Sequence, residues 1–277
     1  MSVELIDIGA NLAHDSFDED LDEVLTRAAE AGVVHIVVTG SSHDSNVRAL
    51  ELARRYPGRL YSTAGLHPHH ATHFDTELEA QIRSLALDAQ CVAVGECGLD
   101  YFRNYSPHEA QLEAFRAQLR IAADTGRPVF LHQRDAHEDF MAVLEPAMAG
   151  LSRAVAHCFT GDAAALEAYL DLGLYIGITG WIADERRGRE LYGIVGRIPD
   201  DRLLIETDSP YLLPRTLTPR PSSRRNEPAF LPEVLRVTAA ARKQDAEHLA
   251  RLTTANARRF FGLPALARSL VPGSRSA

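Results

Sequence analysis

Short apolar, β-branched runs alternate along the chain with longer stretches whose apolar positions recur every three to four residues. VELIDIG, VHIVVTG, RLYSTAG, CVAVGE, PVFLHQ, AVAHCF, LYIGITG and RLLIETD read as strands. Their nearly continuous Val, Ile, Leu and Ala content fits parallel strands buried on both faces. Between them, DEDLDEVLTRAAEAG, SNVRALELARRY, EAQLEAFRAQLRIAADTG and AAALEAYLDLG carry the helical period. Several of these close on the glycine that commonly ends a helix. Eight strand–helix units predict an α/β fold, a single-domain (β/α)8 TIM barrel. A doubly wound open sheet is the competing architecture, since alternation alone does not separate the two.

The ends of the runs favour the barrel. Asp7, Thr39, His67, Glu96, His132, His157, Thr179 and Asp208 each stand at the C-terminal end of a strand unit. A barrel gathers those ends around one centre, whereas an open sheet spreads them along an edge. After the eighth run, SPYLLPRTLTPRPSSRRNEPAF reads as a long ordered loop, and PAFLPEVLRVTAAARK and DAEHLARLTTANARRFFG as two more helices. The barrel is expected over residues 1–263, with a disordered tail over 264–277.

Composition narrows the setting. The chain has 277 residues, 45% of them hydrophobic and 24% charged, which is ample for one large core. No apolar run approaches the ~20 residues that span a membrane, and the N-terminus lacks the pattern of a signal peptide. Cys91, Cys97 and Cys158 are too few for a disulfide framework and point to a reducing compartment, the cytoplasm. A formal net charge of −9 argues against coating nucleic acid through a broad basic surface. It leaves room for a local site that takes a strand end.

Glu96 in VAVGECGLD, His132 in PVFLHQRDA, His157 in AVAHCFTG and Asp208 in RLLIETDSPYL each have an ordinary structural reading when taken singly. Glu96 could pair with a basic neighbour, either histidine could be a bonded core residue, and Asp208 could cap a turn. Together they place four metal-ligand side chains at the same point of four strand units. Burying them as a group calls for a cation to offset the clustered carboxylates. Two imidazoles with carboxylates suit Zn²⁺, Mn²⁺ or a similar ion. Such a centre suggests hydrolysis, with Asp208 or Glu206 as the proton acceptor; Glu206 could equally orient a ligand. Cys97 and Cys158 each follow a candidate ligand, and alternation along a strand turns both thiols away.

STAGLHPHH, VGECGLDYFRNYS, PVFLHQRDA, AHCFTG, YIGITGW, LLIETDSPYLLP and PSSRRNEPAFLP together resemble, in order, the signatures of the TatD family of metal-dependent deoxyribonucleases. The resemblance runs from residue 5 to about 263 and is closest to the branch that gives the family its name. It implies a TIM barrel of the amidohydrolase-like group and a divalent cation. It also implies a 3′→5′ exonuclease acting on single-stranded DNA, or on RNA. Carried over position by position, it makes Glu96, His132, His157 and Asp208 metal-binding and sets His67 near the scissile phosphate. Most of the wider family carries Asp-x-His-x-His on the first strand; here the matching residues are Asp7, Gly9 and Asn11. One well-held metal is therefore expected, with a second bound weakly through Asp208, Glu96 and either Asn11 or Asp7. Mg²⁺ suits so depleted a site, since it needs few protein ligands.

Arg134 and the loop arginines Arg224 and Arg225, beside Arg215 and Arg220, are candidates for substrate phosphates. Arg186 and Arg187 could add to them, and Trp181, the only tryptophan, could stack on a base. Pairing with nearby carboxylates is the alternative for each arginine. His69, His70 and His73 read as solvated loop residues. A monomer without a membrane partner is expected. Two other functions compete: an amidohydrolase-type enzyme cleaving a small amide or ester, and a non-catalytic barrel that binds a partner.

Overall fold

The computed structural model describes residues 3–264. Eight parallel strands lie in sequence order: β1 (Leu5–Ala10), β2 (Val33–Val38), β3 (Leu60–Ala64), β4 (Cys91–Asp100), β5 (Val129–Arg134), β6 (Ala154–Ala156), β7 (Tyr175–Ile178) and β8 (Leu203–Ile205). Around them run α1 (Leu21–Glu30), α2 (His43–Arg55), α3 (Thr76–Ala86), α4 (His108–Thr125), α5 (His137–Ala147), α6 (Ala163–Asp171), α7 (Arg189–Ile194), α8 (Leu231–Arg242) and α9 (Ala246–Phe261). The seam between β8 and β1 is joined just past the strand ends. There the Asp208 N–H donates to the Gly9 carbonyl at 2.8 Å and the Asn11 N–H to the Ser209 carbonyl at 2.7 Å. The eight-stranded barrel read from the sequence is thus the observed fold.

Local chemistry sets the element ends. Ser42 caps α2 in a reciprocal box with Ser45, and Asp75, Asp162 and Asp245 cap α3, α6 and α9 through side-chain oxygens. Gly126 and Gly262 end α4 and α9 in the left-handed conformation. Ile6, Ile8, Phe130, Val155 and Leu204 pack as one cluster in the barrel interior, which Phe260 and Phe261 of α9 join. That packing fills the barrel beneath the C-terminal ends of the strands and leaves those ends to carry chemistry.

Residues 206–227 run without regular structure from β8 to a short 3-10 turn before α8, as the long loop predicts. Among the described residues no helix is long and apolar enough to cross a membrane. The tail expected over 264–277 lies, from residue 265 onward, outside the described residues.

Candidate metal centre

β4 is the strand that builds the site, and two glycines let it do so. A Cβ at Gly95 would lie 2.1 Å from the Phe130 carbonyl oxygen, and one at Gly98 would lie 1.9 Å from that of His132. Both glycines also adopt positive φ, +127° and +144°, which side chains disfavour. Only glycine at these positions lets β4 press its backbone against β5. Glu96, between them, is thereby brought beside His132.

One oxygen of Glu96 is the hub. Its Oε1 lies 2.8 Å from His157 Nε2, 3.1 Å from His132 Nδ1 and 3.4 Å from His67 Nε2. Burial alone would raise the Glu96 pKa, but the His67, His157 and His132 imidazoles outweigh it and hold the group well below the carboxylate range. Burial drives His67 the other way, down to about 4, so it presents a neutral ring, whose Nδ1 accepts the His69 N–H at 3.1 Å. Against the pull of burial, Asp100 and Glu96 raise His132, while Glu96 and Glu206 raise His157 well above its usual value.

The ligand atoms of His67, Glu96 and His132 lie within 4.8 Å of one another. Two nitrogen donors and an ionised carboxylate so arranged fit a divalent cation. His67, which the sequence set near the phosphate, stands inside this group, and His157 reaches it through Glu96.

The His157 and His132 rings are each held from behind by a carboxylate. Glu206 is fully buried and accepts the Cys158 N–H on Oε1, while Oε2 lies 3.3 Å from His157 Nδ1. A Cβ at Gly9 would stand 2.4 Å from Glu206 Oε2, and one at Gly177 2.5 Å from Oε1. Gly9, where the wider family's pattern has histidine, is therefore the space that Glu206 occupies. On the other side, Asp100 Oδ2 lies 3.1 Å from His132 Nε2 and 2.9 Å from His69 Nε2.

The β8–β1 seam carries the remaining carboxylates. Asp208 has a left-handed backbone, φ +54°, and accepts a hydrogen bond from Asn11 Nδ2 at 3.0 Å. Burial, with Glu96 and Glu206 adding to it against His157, pushes its pKa up to about 7. Asp7 is fully buried and accepts bonds from the Gly9 and Thr207 N–H groups and the Thr207 hydroxyl. Those bonds commit it to tying β1 to the segment after β8. Burial raises it, too, to about 7.

Sequence reasoning missed two members of this network. It ended the fourth strand at Glu96 and left His69 in solvent, whereas β4 runs on to Asp100. The i, i+2, i+4 spacing of Glu96, Gly98 and Asp100 on one strand face was the available signal. His69 is three-quarters buried against Asp100, and its ring centroid lies 4.1 Å from that of His67. His70 and His73 are solvent-exposed as expected, though they lie in a short 3-10 helix (Pro68–His73) rather than a loop, and stack on each other.

The candidate phosphate-binding arginines separate. Arg134, two residues past His132 on β5, lies over the Phe102 and Trp181 rings. Arg224 is exposed and lines a cavity with Arg220. Arg225 is instead bound by Asp20 at 2.6 and 2.8 Å and lies over Phe17, which fastens the loop to the start of α1. Cys97 is buried, and the Cys158 thiol meets the Thr179 hydroxyl at 3.6 Å.

Fold and site define a class: a (β/α)8 barrel with a histidine–carboxylate centre at the C-terminal ends of its strands. The chain belongs to the TatD family; the family model described as TatD related DNase matches residues 6–262. It is 52% identical over 261 residues to the 3′-5′ ssDNA/RNA exonuclease TatD of Erwinia billingiae, covering 94% of this chain and 100% of that one. To the protein of the same name from Yersinia pseudotuberculosis it is 51% identical, with the same coverage. Among solved structures, YjjV, a TatD homologue from Escherichia coli K12, superposes with a TM-score of 0.86 at 30% identity, covering 95% of this chain and all of that one.

Proposed function

We propose that this protein is a metal-dependent 3′→5′ exonuclease that hydrolyses phosphodiester bonds in single-stranded DNA and RNA. The observation that carries the reading is the Glu96 oxygen ringed by His67, His132 and His157, in a chain about half identical to exonucleases so named.

Glu96 and His132 would hold the divalent cation, with His67 and His157 completing the nitrogen donors and Asp208 as a further carboxylate. When bound, that cation supplies Lewis acidity toward the scissile phosphate and lowers the pKa of water beside it. Asp208, aimed by Asn11, takes the proton of the attacking water. Glu206 fixes the His157 ring through Nδ1, and Asp100 fixes His132 through Nε2. Arg134 and Arg224 meet substrate phosphates, while Arg225 braces the loop that carries Arg224. Mg²⁺ is the cation we assign, held chiefly through the carboxylates and water, since Gly9 and Asn11 withhold the two further histidines that would select a softer metal. Mn²⁺ and Zn²⁺ are the alternatives. The three free cysteines suit the reducing cytoplasm, where the protein would work as a monomer.

The test uses chelator-stripped protein and a single-stranded oligonucleotide labelled at either end. Stepwise shortening from the 3′ end that requires added metal and vanishes in Glu96→Ala supports the reading. Cleavage without metal, or cleavage as fast in Glu96→Ala, overturns it.

A further inference from the structure

Away from the metal centre, this acidic chain gathers cations around one cavity. It has a volume of about 670 Å³ and is walled by Arg186, Arg187, Arg215, Arg220 and Arg224, with two serines from the loop after β8. Asp184 answers two of them, Arg187 at 2.8 Å and Arg215 at 3.4 Å. Among the described residues, no carboxylate comes within 4.0 Å of the Arg186, Arg220 or Arg224 guanidinium. Three unanswered positive charges facing one space repel each other and invite a polyanion.

A second observation joins that cavity to the metal centre. The Arg134 guanidinium carbon lies 4.7 Å from the centre of the Phe102 ring and 5.1 Å from that of Trp181. Arg187 lies 4.4 Å from the same Trp181 ring. Phe102, Arg134, Trp181 and Arg187 therefore form an alternating aromatic–guanidinium series. Its second member stands two residues from His132, and its last lines a wall of the cavity. Phe102 is 55% exposed, so its ring is open to a strand laid along the series. Planar cations and aromatic rings in series are the surface on which unpaired bases stack, and a base already stacked in a duplex has no free face to offer.

We propose that this series and the arginine cavity form one track for the single strand on the 5′ side of the scissile bond, its phosphates entering the cavity and its bases lying against the Phe102–Trp181 series. The direction of the strand rests on the 3′→5′ reading above; the track itself does not.

Trp181 is the sole tryptophan, so its fluorescence reports on the track directly. Chelator-treated protein, which binds without cutting, is titrated with a thymidine 12-mer, a thymidine dinucleotide and a 12-base-pair duplex. Anisotropy of labelled copies reports binding independently. The track predicts saturable quenching by the 12-mer, little by the dinucleotide and little by the duplex. Arg220→Ala/Arg224→Ala should lower the slope of log affinity against log salt by about 1.4, two single-strand phosphate contacts. Arg220→Lys/Arg224→Lys should restore most of it.

A 12-mer that binds without moving Trp181 fluorescence, a 12-mer that does not bind, or a salt slope unchanged in the alanine pair overturns the track. Cleavage assays with added Mg²⁺ decide the functional reading separately. Quenching without cleavage by the wild type would leave a strand-binding barrel and refute the exonuclease. Cleavage with a silent Trp181 would do the reverse.

Discussion

The two sides of the barrel mouth solve the burial of charge differently. On the β4–β5 side, Glu96 and Asp100 are each met by two or more imidazoles, and both carboxyls are held below their ordinary range despite burial. On the β8–β1 side, Asp7 and Asp208 have only hydroxyl, amide and backbone donors, and burial lifts both to about 7. Positions 9 and 11, where histidines would have supplied cationic or ligating partners, hold glycine and asparagine. On the function proposed above, this difference would let one side receive a cation tightly and leave the other to close the barrel and handle a proton.

The most damaging way to break the contrast is to remove the hub. Glu96→Ala should lower kcat/KM on a single-stranded oligonucleotide by about 10³-fold or more, the loss expected when a cation worth several kcal/mol is no longer held. Circular dichroism should show the fold intact. Next comes the ring support: Asp100→Ala should weaken metal affinity about 10- to 100-fold, read by calorimetric titration, because His132 loses the partner that fixes its orientation.

Restoring the missing histidine attacks the other side. Gly9→His must displace Glu206 and the Phe130 ring, so urea unfolding should show a loss of about 1–3 kcal/mol and no new tight metal site. If the variant gains a second tight site at wild-type stability, the space reserved for Glu206 has been misread.

The last effect is in pH. The folded pKa of Asp7 is raised, so its protonated form belongs to the native state more than to the unfolded one. Its contribution to stability is full below the unfolded value near 3.8 and fades as pH rises through about 7. Metal-free wild type should lose urea resistance between pH 4 and pH 8, and Asp7→Asn should remove the Asp7 share of that decline while leaving the share carried by Asp208. An identical decline in the variant would place the titration elsewhere.

What the sequence made legible follows from which residues have only one thing to do. Strands buried on both faces announce themselves as apolar runs, so eight strands and the polar residues at their ends could be read directly, Glu96, His132 and His157 among them. Asp100 was hidden because Gly98 interrupts the apolar run that would have shown β4 continuing. His69 was hidden among four histidines within seven residues, all alike until Asp100 selects one. Arg224 and Arg225 are neighbours with opposite fates, decided by Asp20, some two hundred positions away in the chain. Glu206 follows Leu204 inward by strand alternation, but Asp208 reaches the site through a left-handed turn that no periodicity encodes.

The central claim is that the Glu96 side holds one tight cation and the β8–β1 seam at most a weak one. The direct measurement is calorimetric titration of Mn²⁺ into chelator-stripped wild type and Glu96→Gln, which keeps the side chain's size. A single tight site in the wild type, lost in the variant, is the expected result. Two equally tight sites, or one that survives Glu96→Gln, would contradict it.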